Sequence, residues 1–438
     1  MSPRHIRIIL LLIAPLLLFI SIPAQAEAPD IREGETLALS RCIEIALARH
    51  PDLAAYGYEV EAREALAAQA RKEYFPKLDV TGGYTRYNPN DRNAADAYSL
   101  IPLDSYSYYT ASATLTQNIY DFGKRETAIR IKDLSRDASL HDLEDRRLTL
   151  IHSVREAFYD LLRTSRSREV QMEKVGRFES HLHQAKTFFE AGTKSRYDVT
   201  KAEVDLSNAR LDLTTAENDE LLARVSLNQV MGLSSPPAYR IEDNLAFQHY
   251  DVVLADALAR ATEARSDLKS LAAQIEAEER GIDLARKEYF PSLSGKAAYA
   301  YDGSETPLSR GWNAGVSVSV NFFEGMVTQN RIREARAKRN KLQAQLDAKR
   351  LDVRTEIQKS YLNLQKAEKT IADAALATRQ AEENLEIVML KYSAGLSTPV
   401  EVTDATVGYS DAKLKHIQAL YDYRKAQSAI EKAMGKKQ

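Results

Sequence analysis

Two long regions of the chain place apolar residues in the alternating steps of a coiled coil. Between Lys124 and Phe189, the residues Val175, Phe178, Leu182, Ala185 and Phe189 follow at intervals of 3, 4, 3 and 4. Between Met326 and Tyr392, the residues Val353, Ile357, Ser360, Leu364, Ala367, Ile371 and Ala374 step 4, 3, 4, 3, 4 and 3. Such a series holds one stripe of a helix against a partner helix. Neither region contains proline, and Gly176 is the one glycine past their first positions. At 1.5 Å of rise per residue, each predicts a helix of roughly 95 to 100 Å. No compact domain houses that, and the small residues along the stripe suit helices packed closely in a curved wall.

A second pattern precedes each long region. After Pro291, the residues Leu293, Gly295, Ala297, Tyr299 and Tyr301 alternate with small or polar neighbours. A polar loop around Gly303 to Gly311 follows, and Ala314, Val316, Val318 and Val320 then alternate with Gly315, Ser317, Ser319 and Asn321. Period-two alternation of this kind predicts a two-stranded hairpin with one apolar and one polar face. The same pair follows Pro76, in residues 77–87 and 108–120, around a longer loop rich in Asn, Asp, Ala and Ser.

The recurrence is an internal duplication. Ala70-Arg71-Lys72-Glu73-Tyr74-Phe75-Pro76 returns unchanged as Ala285-Arg286-Lys287-Glu288-Tyr289-Phe290-Pro291, an offset of 215. Each copy reads as a helix that stops where a strand begins, because proline restricts the residue before it to extended conformations. Beyond the hairpins the offset becomes 203, since the second loop is shorter. Phe189-Glu190-Ala191-Gly192 then answers Tyr392-Ser393-Ala394-Gly395, with glycine supplying the left-handed residue that ends a helix. Val230-Met231-Gly232 likewise answers Ala433-Met434-Gly435. The chain therefore divides into a first repeat at 27–232, a link at 233–251 containing Pro236 and Pro237, and a second repeat at 252–438. The first repeat comprises helices, a hairpin at about 77–120, a long helix at about 124–190 and a return helix at about 197–232. Its counterparts in the second are expected at about 292–322, 326–392 and 399–435.

Composition narrows the class. Only 17 Gly and 13 Pro in 438 residues leave few loops, and a net charge of −2 without a basic stripe gives nucleic acid nothing to bind. Residues 1–26 have the form of a secretory signal peptide: Arg4, His5 and Arg7, an apolar run from Ile8 to Ile22, then Ala24-Gln25-Ala26. No later stretch approaches the ~20 apolar residues of a spanning helix. Cys42 is the one cysteine, so no internal disulfide forms, and it reads as a buried thiol on the first helix.

Four strands cannot close a barrel, and an open sheet edge in lipid leaves backbone groups unsatisfied. If these hairpins span a bilayer, several chains share one barrel, eight strands from two chains or twelve from three. A secreted chain with such hairpins and no spanning helix points to a bacterial outer membrane.

In its duplicated layout the sequence resembles the TolC family of outer-membrane channel-tunnels over essentially the whole mature chain. The likeness rests on the Tyr-Phe-Pro steps at Pro76 and Pro291, and on the strand exits Tyr120-Asp121-Phe122-Gly123 and Phe323-Glu324-Gly325. Its most specific stretch is Tyr392-Ser393-Ala394-Gly395-Leu396-Ser397-Thr398-Pro399-Val400-Glu401-Val402-Thr403-Asp404-Ala405-Thr406, similar to the family's periplasmic tip. The resemblance implies a mainly α protein with a small membrane β-barrel part. Duplicated coiled-coil hairpins would form a trimeric α-barrel in the periplasm, and four β-strands per chain would complete a twelve-stranded barrel in outer-membrane lipid. It also implies a passive exit duct for efflux or type I secretion, a homotrimer working with a periplasmic adaptor and an inner-membrane transporter. A collar would draw on residues near 27–36, 233–251 and the C-terminus.

The resemblance assigns site residues as well. Glu401 and Asp404 share a helix face and occupy the positions of acidic rings at the closed periplasmic aperture. Asp198 and Tyr392 match gate contacts between neighbouring hairpins, where a Tyr hydroxyl donates to a carboxylate. Gly192, Thr193 and Ser195, with Gly395, Leu396 and Ser397, match the adaptor-docking tips, although Thr193 stands where the family has an apolar residue. Ser397 stands where the type member of the family has an arginine, for which Arg196 is a candidate substitute. Enzyme chemistry has nothing to rest on: there is no phosphate-binding loop, no nucleophile with a base and no metal-spaced cluster. His181 and His183, two apart, face different ways on a helix, and no cofactor or metal is expected. The alternative is a periplasmic coiled-coil adaptor or scaffold that does not span the outer membrane. An adaptor, however, carries one hairpin rather than two, with flanking β domains not found here.

Overall fold

The computed structural model describes residues 31–87, 105–304 and 307–436. The segment 1–26, expected to be a signal peptide, and the loop of the first hairpin lie outside the described residues. Eight α-helices are described: α1 (Leu39–Arg49), α2 (Pro51–Ala70), α3 (Lys124–Glu190), α4 (Arg196–Val230), α5 (Leu254–Ala264), α6 (Ser266–Lys287), α7 (Val327–Ser393) and α8 (Pro399–Ala433). The long helices α3 and α7 each have 67 residues, and the return helices α4 and α8 each have 35. At the rise of an α-helix, 67 residues span about 100 Å.

Each long helix pairs with its return helix as a coiled-coil hairpin, and the two hairpins meet along α3 and α8. The shorter helices run beside the other end of the long ones: α2 against α3, and α6 between α3 and α7. The largest core lies where these layers overlap, at mid-length. Phe158, Leu161, Leu227, Leu245, Ile357 and Ile430 are all fully buried in it. Cys42 belongs to this core, and burial pushes its thiol up to about 12, which leaves it without thiolate character.

The link between the repeats is fastened across this middle. Its strand β4 (Arg240–Ile241) runs parallel to β1 (Thr36–Leu37). Arg166 on α3 grips Asp243 through two hydrogen bonds of 2.8 and 2.6 Å. The hydroxyl of Tyr423 donates to the carbonyl of Gln248 at 2.8 Å.

Close approach explains the two Met-Gly closures. Gly232 has φ +73°, and a Cβ there would lie 3.0 Å from the carbonyl oxygen of Arg49 at the corner between α1 and α2. Gly435, with φ +65°, abuts Arg265 at the equivalent corner between α5 and α6. Each corner is also held by charge. Asp52 pairs with Arg146, and Asp267 with Lys349 at 3.1 Å, so the same contact recurs at both offsets. The second corner adds Arg265, only 8% exposed, which bonds Asp267 at 2.7 Å, Glu356 at 2.6 Å and the carbonyl of Ala433 at 3.2 Å.

The remaining strands form one antiparallel sheet in the order β2 (Lys77–Tyr87), β3 (Tyr106–Tyr120), β5 (Ser292–Gly303), β6 (Ser309–Ser319). Register sorts its faces. One face carries Leu78, Val80 and Tyr84 opposite Leu115, Ala113 and Tyr109, then Leu293, Tyr299 and Tyr301, then Val318, Val316 and Trp312. The other carries Thr81, Ser112, Thr114, Thr116, Ser294, Asn313 and Ser317, tied by hydroxyl pairs such as Thr81 with Ser112 at 2.8 Å. Val80 and Trp312 are 76% and 77% exposed, so the apolar face finds no cover within the chain. Aromatic residues border that face at both ends: Tyr84 and Trp312 far from the helices, Phe75 and Phe322 near them. Nine residues from Phe75 to Tyr84, at ~3.4 Å each and tilted ~40°, span about 23 Å, close to the ~25 Å apolar band of an outer-membrane barrel. Among the described residues, no helix is long and apolar enough to cross a membrane.

Both copies of the repeated heptapeptide converge where α3 begins. Arg125 lies over the ring of Tyr74 at 4.2 Å and donates to the carbonyl of Glu73 at 3.1 Å, both in the first copy. Lys124 donates to the carbonyl of Phe290 at 2.8 Å, and Lys287 to that of Gly123 at 2.9 Å, both in the second. One helix start thereby fixes the spacing of the two hairpins.

Replacing Arg265 by Met is expected to destabilise the protein by about 3 kcal/mol, because it leaves partly buried carboxylates unpaired. Arg63→Ala, which removes an exposed pair with Glu59, should cost under about 0.5 kcal/mol. Thermal unfolding of the detergent-solubilised protein, followed by helical circular dichroism, measures both; equal shifts would contradict the role given to Arg265.

Candidate functional site

The two hairpin tips carry the candidate residues. At the first, Gly192 adopts φ +73° and ends α3 in a double turn: its N–H donates to the carbonyl of Phe189 and that of Thr193 to Phe188, each at 2.9 Å. The second repeats this, Gly395 to Tyr392 at 3.0 Å and Leu396 to Lys391 at 2.8 Å. The residue after each glycine differs in consequence. Thr193 turns its hydroxyl back onto the carbonyl of Phe188 at 2.9 Å, whereas Leu396 stands 79% exposed, an apolar knob at the end of the molecule.

Each return helix starts with a capping box. The Ser195 N–H and hydroxyl donate to the Asp198 carboxylate at 2.7 and 2.8 Å. The Thr398 N–H and the Ser397 hydroxyl donate to Glu401 at 2.8 and 2.5 Å. Asp198 and Glu401 are thus equivalent acids at the third helical position, where a carboxylate reaches back to free N–H groups and meets the positive end of the helix dipole. The Ser397 hydroxyl, followed by the Thr398 N–H, holds Glu401 below the usual carboxylate range. Glu401 and Asp404 do share a face: both are exposed, one turn apart, on a stripe that continues through Gly408 and Asp411.

Asp198 and Tyr392 come together in a different way from that implied by the resemblance. Tyr392 is fully buried, yet its hydroxyl has no hydrogen-bond partner. The capping box uses one oxygen of Asp198, and no hydroxyl-to-carboxylate bond from Tyr392 is made within the chain. Tyr392 instead inserts its ring between the hairpins, edge-on to His181 at 4.8 Å between centroids and 6.1 Å from Phe188, with Lys194 over it at 5.3 Å. Burial, followed by the nearby Asp198 charge, raises its phenol above the ordinary value. Arg196 is exposed and lies against the ring of Phe189 in its own hairpin. Ser397 is spent on Glu401.

Sequence reasoning missed the polar groups that join the hairpins. The Thr403 hydroxyl on α8 donates to Asp205 on α4 at 2.6 Å, and Lys201 holds the other oxygen of that carboxylate at 2.5 Å. Lys413 on α8 pairs with Glu173 on α3 at 2.6 Å. His181 is 1% exposed and neither ring nitrogen has a partner. A signal existed: Lys174, Phe178, His181 and Ala185 step 4, 3 and 4 and are all buried. Judging His181 only against His183 concealed that it lies on a buried stripe. Among the described residues, no group of three His, Cys, Asp or Glu side chains could hold a metal ion.

Comparison with known proteins agrees with this arrangement. The family model described as "Outer membrane efflux protein" matches residues 42–233 and 257–436, one segment in each repeat. The chain is 24% identical over 400 residues to protein CyaE of Bordetella pertussis, covering 89% of this chain and 82% of that one. It is 24% identical over 417 residues to the outer membrane protein TolC of Escherichia coli, covering 88% and 80%. Its fold superposes on the CmeC outer membrane channel of Campylobacter jejuni with a TM-score of 0.77 at 15% identity, covering 94% and 90%. With both repeats matched by one family model, the chain belongs to the outer membrane efflux protein family, whose members serve as exit ducts in the outer membrane.

Proposed function

We propose that the chain is one third of a closed trimeric duct. The observation that carries this reading is the open four-stranded sheet. Its edge strands β2 and β6 run in opposite directions and have no partner among the described residues, while its apolar face is bare. Laying β6 of one copy against β2 of the next continues the antiparallel order, and three copies give twelve strands with the apolar faces outward and the hydroxyl-rich faces inward. Every backbone group in lipid is then paired. The helical hairpins of three chains would form a tunnel about 100 Å long below the barrel. Nothing in the site supplies energy or reacts, so transport for efflux or type I secretion is passive, driven by an inner-membrane transporter and coupled through a periplasmic adaptor. The adaptor-or-scaffold alternative has no use for two hairpins or for a bare apolar sheet.

Gly192, Thr193, Ser195, Gly395, Leu396 and Ser397 make the adaptor-docking tips in this reading, with Leu396 the anchor. Glu401 and Asp404 line the aperture, and Asp198 and Tyr392 belong to its gate. A trivalent cation ~10 Å from one carboxylate gains about 1 kcal/mol in water before screening. Three copies of each acid therefore make a strong block.

The purified protein should carry three chains per particle in native mass spectrometry, and a monomer would overturn the trimer. In planar bilayers, Asp404→Asn should raise the half-blocking concentration of a trivalent cation by about tenfold. It is a cleaner variant than Glu401→Gln, which also removes the cap of α8; unchanged block would remove the ring assignment. Leu396→Asp should weaken binding of an adaptor hairpin peptide at least about fivefold, as loss of an apolar anchor does, and an unchanged dissociation constant would contradict the docking role.

A further inference from the structure

The geometry points to His181 as a positioning residue that makes the closure of the gate acid-labile: neutral, it packs with Tyr392 between the two hairpins; protonated, it leaves that pocket and the hairpins part. This inference rests on the reading of the tips as the gate of the duct.

His181 on α3 is 1% exposed, and both ring nitrogens lack partners, as does the hydroxyl of Tyr392 on α7 beside it. A neutral imidazole tolerates this because its ring still packs edge-on against Tyr392 at 4.8 Å. An imidazolium carries two N–H donors and a charge, and a buried charge without hydrogen bonds is far more costly.

The surrounding groups do not rescue it. The charged groups acting on His181 all come from α4: Asp205, Lys201 and Asp198. Asp205 already accepts from Lys201 at 2.5 Å and from Thr403 at 2.6 Å. Asp198 accepts from the N–H and hydroxyl of Ser195 through one oxygen and makes no bond to the imidazole. From α7 comes the Tyr392 ring, with Lys194 of the first hairpin's turn over it at 5.3 Å. Both carboxylates favour the charged ring by their field. Burial nevertheless outweighs them and holds the imidazole below its ordinary 6.5.

The sign follows from linkage. A histidine whose value is depressed in the closed state binds its proton more tightly once the hairpins separate. The contact therefore stands at full strength above pH 6.5 and weakens as the pH falls through and below that value. The acidic rings respond in the opposite sense. Protonating Glu401, held below the usual carboxylate range, weakens cation attraction and lowers conductance, whereas release of His181 raises it.

The test is single-channel conductance of the full-length protein in planar bilayers, with the tip side taken from pH 7.5 to 5.5. The parent is expected to rise at least about threefold, while His181→Gln, with the acidic rings intact, changes by less than about 1.5-fold. A parent-like rise in His181→Gln overturns the inference, as does a parent that does not rise. Thr403→Val removes the tie to Asp205 and, at pH 7.5 where the imidazole is neutral, tests the gate reading separately from the histidine. If Thr403→Val leaves conductance unchanged at both pH values, the tips are not the gate; if it opens the channel while His181→Gln keeps the parent's response, only the histidine assignment fails. Should His181→Gln not assemble, hydrogen exchange of residues 193–205 in the parent decides the matter. Protection corrected for intrinsic rates should fall at least about fivefold between pH 7.5 and 5.5, and constant protection overturns the inference.

Discussion

In lipid every backbone N–H and C=O must find a partner within the protein, and this chain cannot meet that demand alone. Among the described residues its sheet ends in two unpaired edges of eleven residues each, and each unpaired group in hydrocarbon costs several kcal/mol. Much of the architecture follows from that constraint. The four strands must be delivered as two hairpins at a fixed separation, which is why both copies of Ala-Arg-Lys-Glu-Tyr-Phe-Pro are bound to one helix start by Lys124, Arg125 and Lys287. The hairpins must rise from one layer of parallel supports, and the matched helices of 67 and 35 residues provide it.

The duplication has kept geometry and spent residue identity. The corner contact survives as Arg146 with Asp52 and as Lys349 with Asp267, the same charges on different side chains. The helix caps survive as Ser195 with Asp198 and Thr398 with Glu401. Divergence falls where the two hairpins have different neighbours. Only the second corner has Arg265, bonded to both α7 and the end of α8. Only the second tip exposes an apolar knob, since Thr193 bends its hydroxyl inward where Leu396 points out.

The fold was legible in the sequence because its determinants are local and repeated: coiled-coil steps without proline, period-two strands, glycines at the turns and a verbatim heptapeptide. The site was less legible because its contacts lie between segments about 200 residues apart. Spacing put Glu401 and Asp404 on one face, and the Thr-x-x-Glu signature of a capping box stood in the same stretch, with Ser-x-x-Asp at the other tip. Resemblance drew the reading toward an aperture and a gate, whereas the structure gives Asp198 and Glu401 a helix-starting duty in addition. The partner of Asp205 across the interface, Thr403, and the pocket around His181 could not be inferred from periodicity, which says that a position is buried without saying what meets it.

How strongly the parts hold together differs along the molecule. At mid-length the helices, the link and the closures share one large core, whereas toward the tips the buried clusters shrink to Val175, Phe178, Leu206 and Ala209, and to Leu385, Ala405 and Tyr409. Between the hairpins there the described ties are the rings of His181 and Phe188 against Tyr392, Lys194 over Tyr392 and Arg177 over Tyr409, Val407 packed on the first cluster, one hydroxyl-to-carboxylate bond and the half-exposed pair of Lys413 with Glu173. A half-exposed pair contributes about 0 to 1 kcal/mol and a hydrogen bond to a carboxylate about 1.5 to 3. Within each hairpin, by contrast, the coiled coil is continuous. The proposed duct, opening at the tips and intact elsewhere, is suited by this ordering: contacts within a moving unit exceed those between units, and the weakest lie where motion is proposed. Polar ties serve that end better than added apolar area. They fix one closed register while closed, and water can replace them one by one as the hairpins part, without exposing a greasy surface to the lumen.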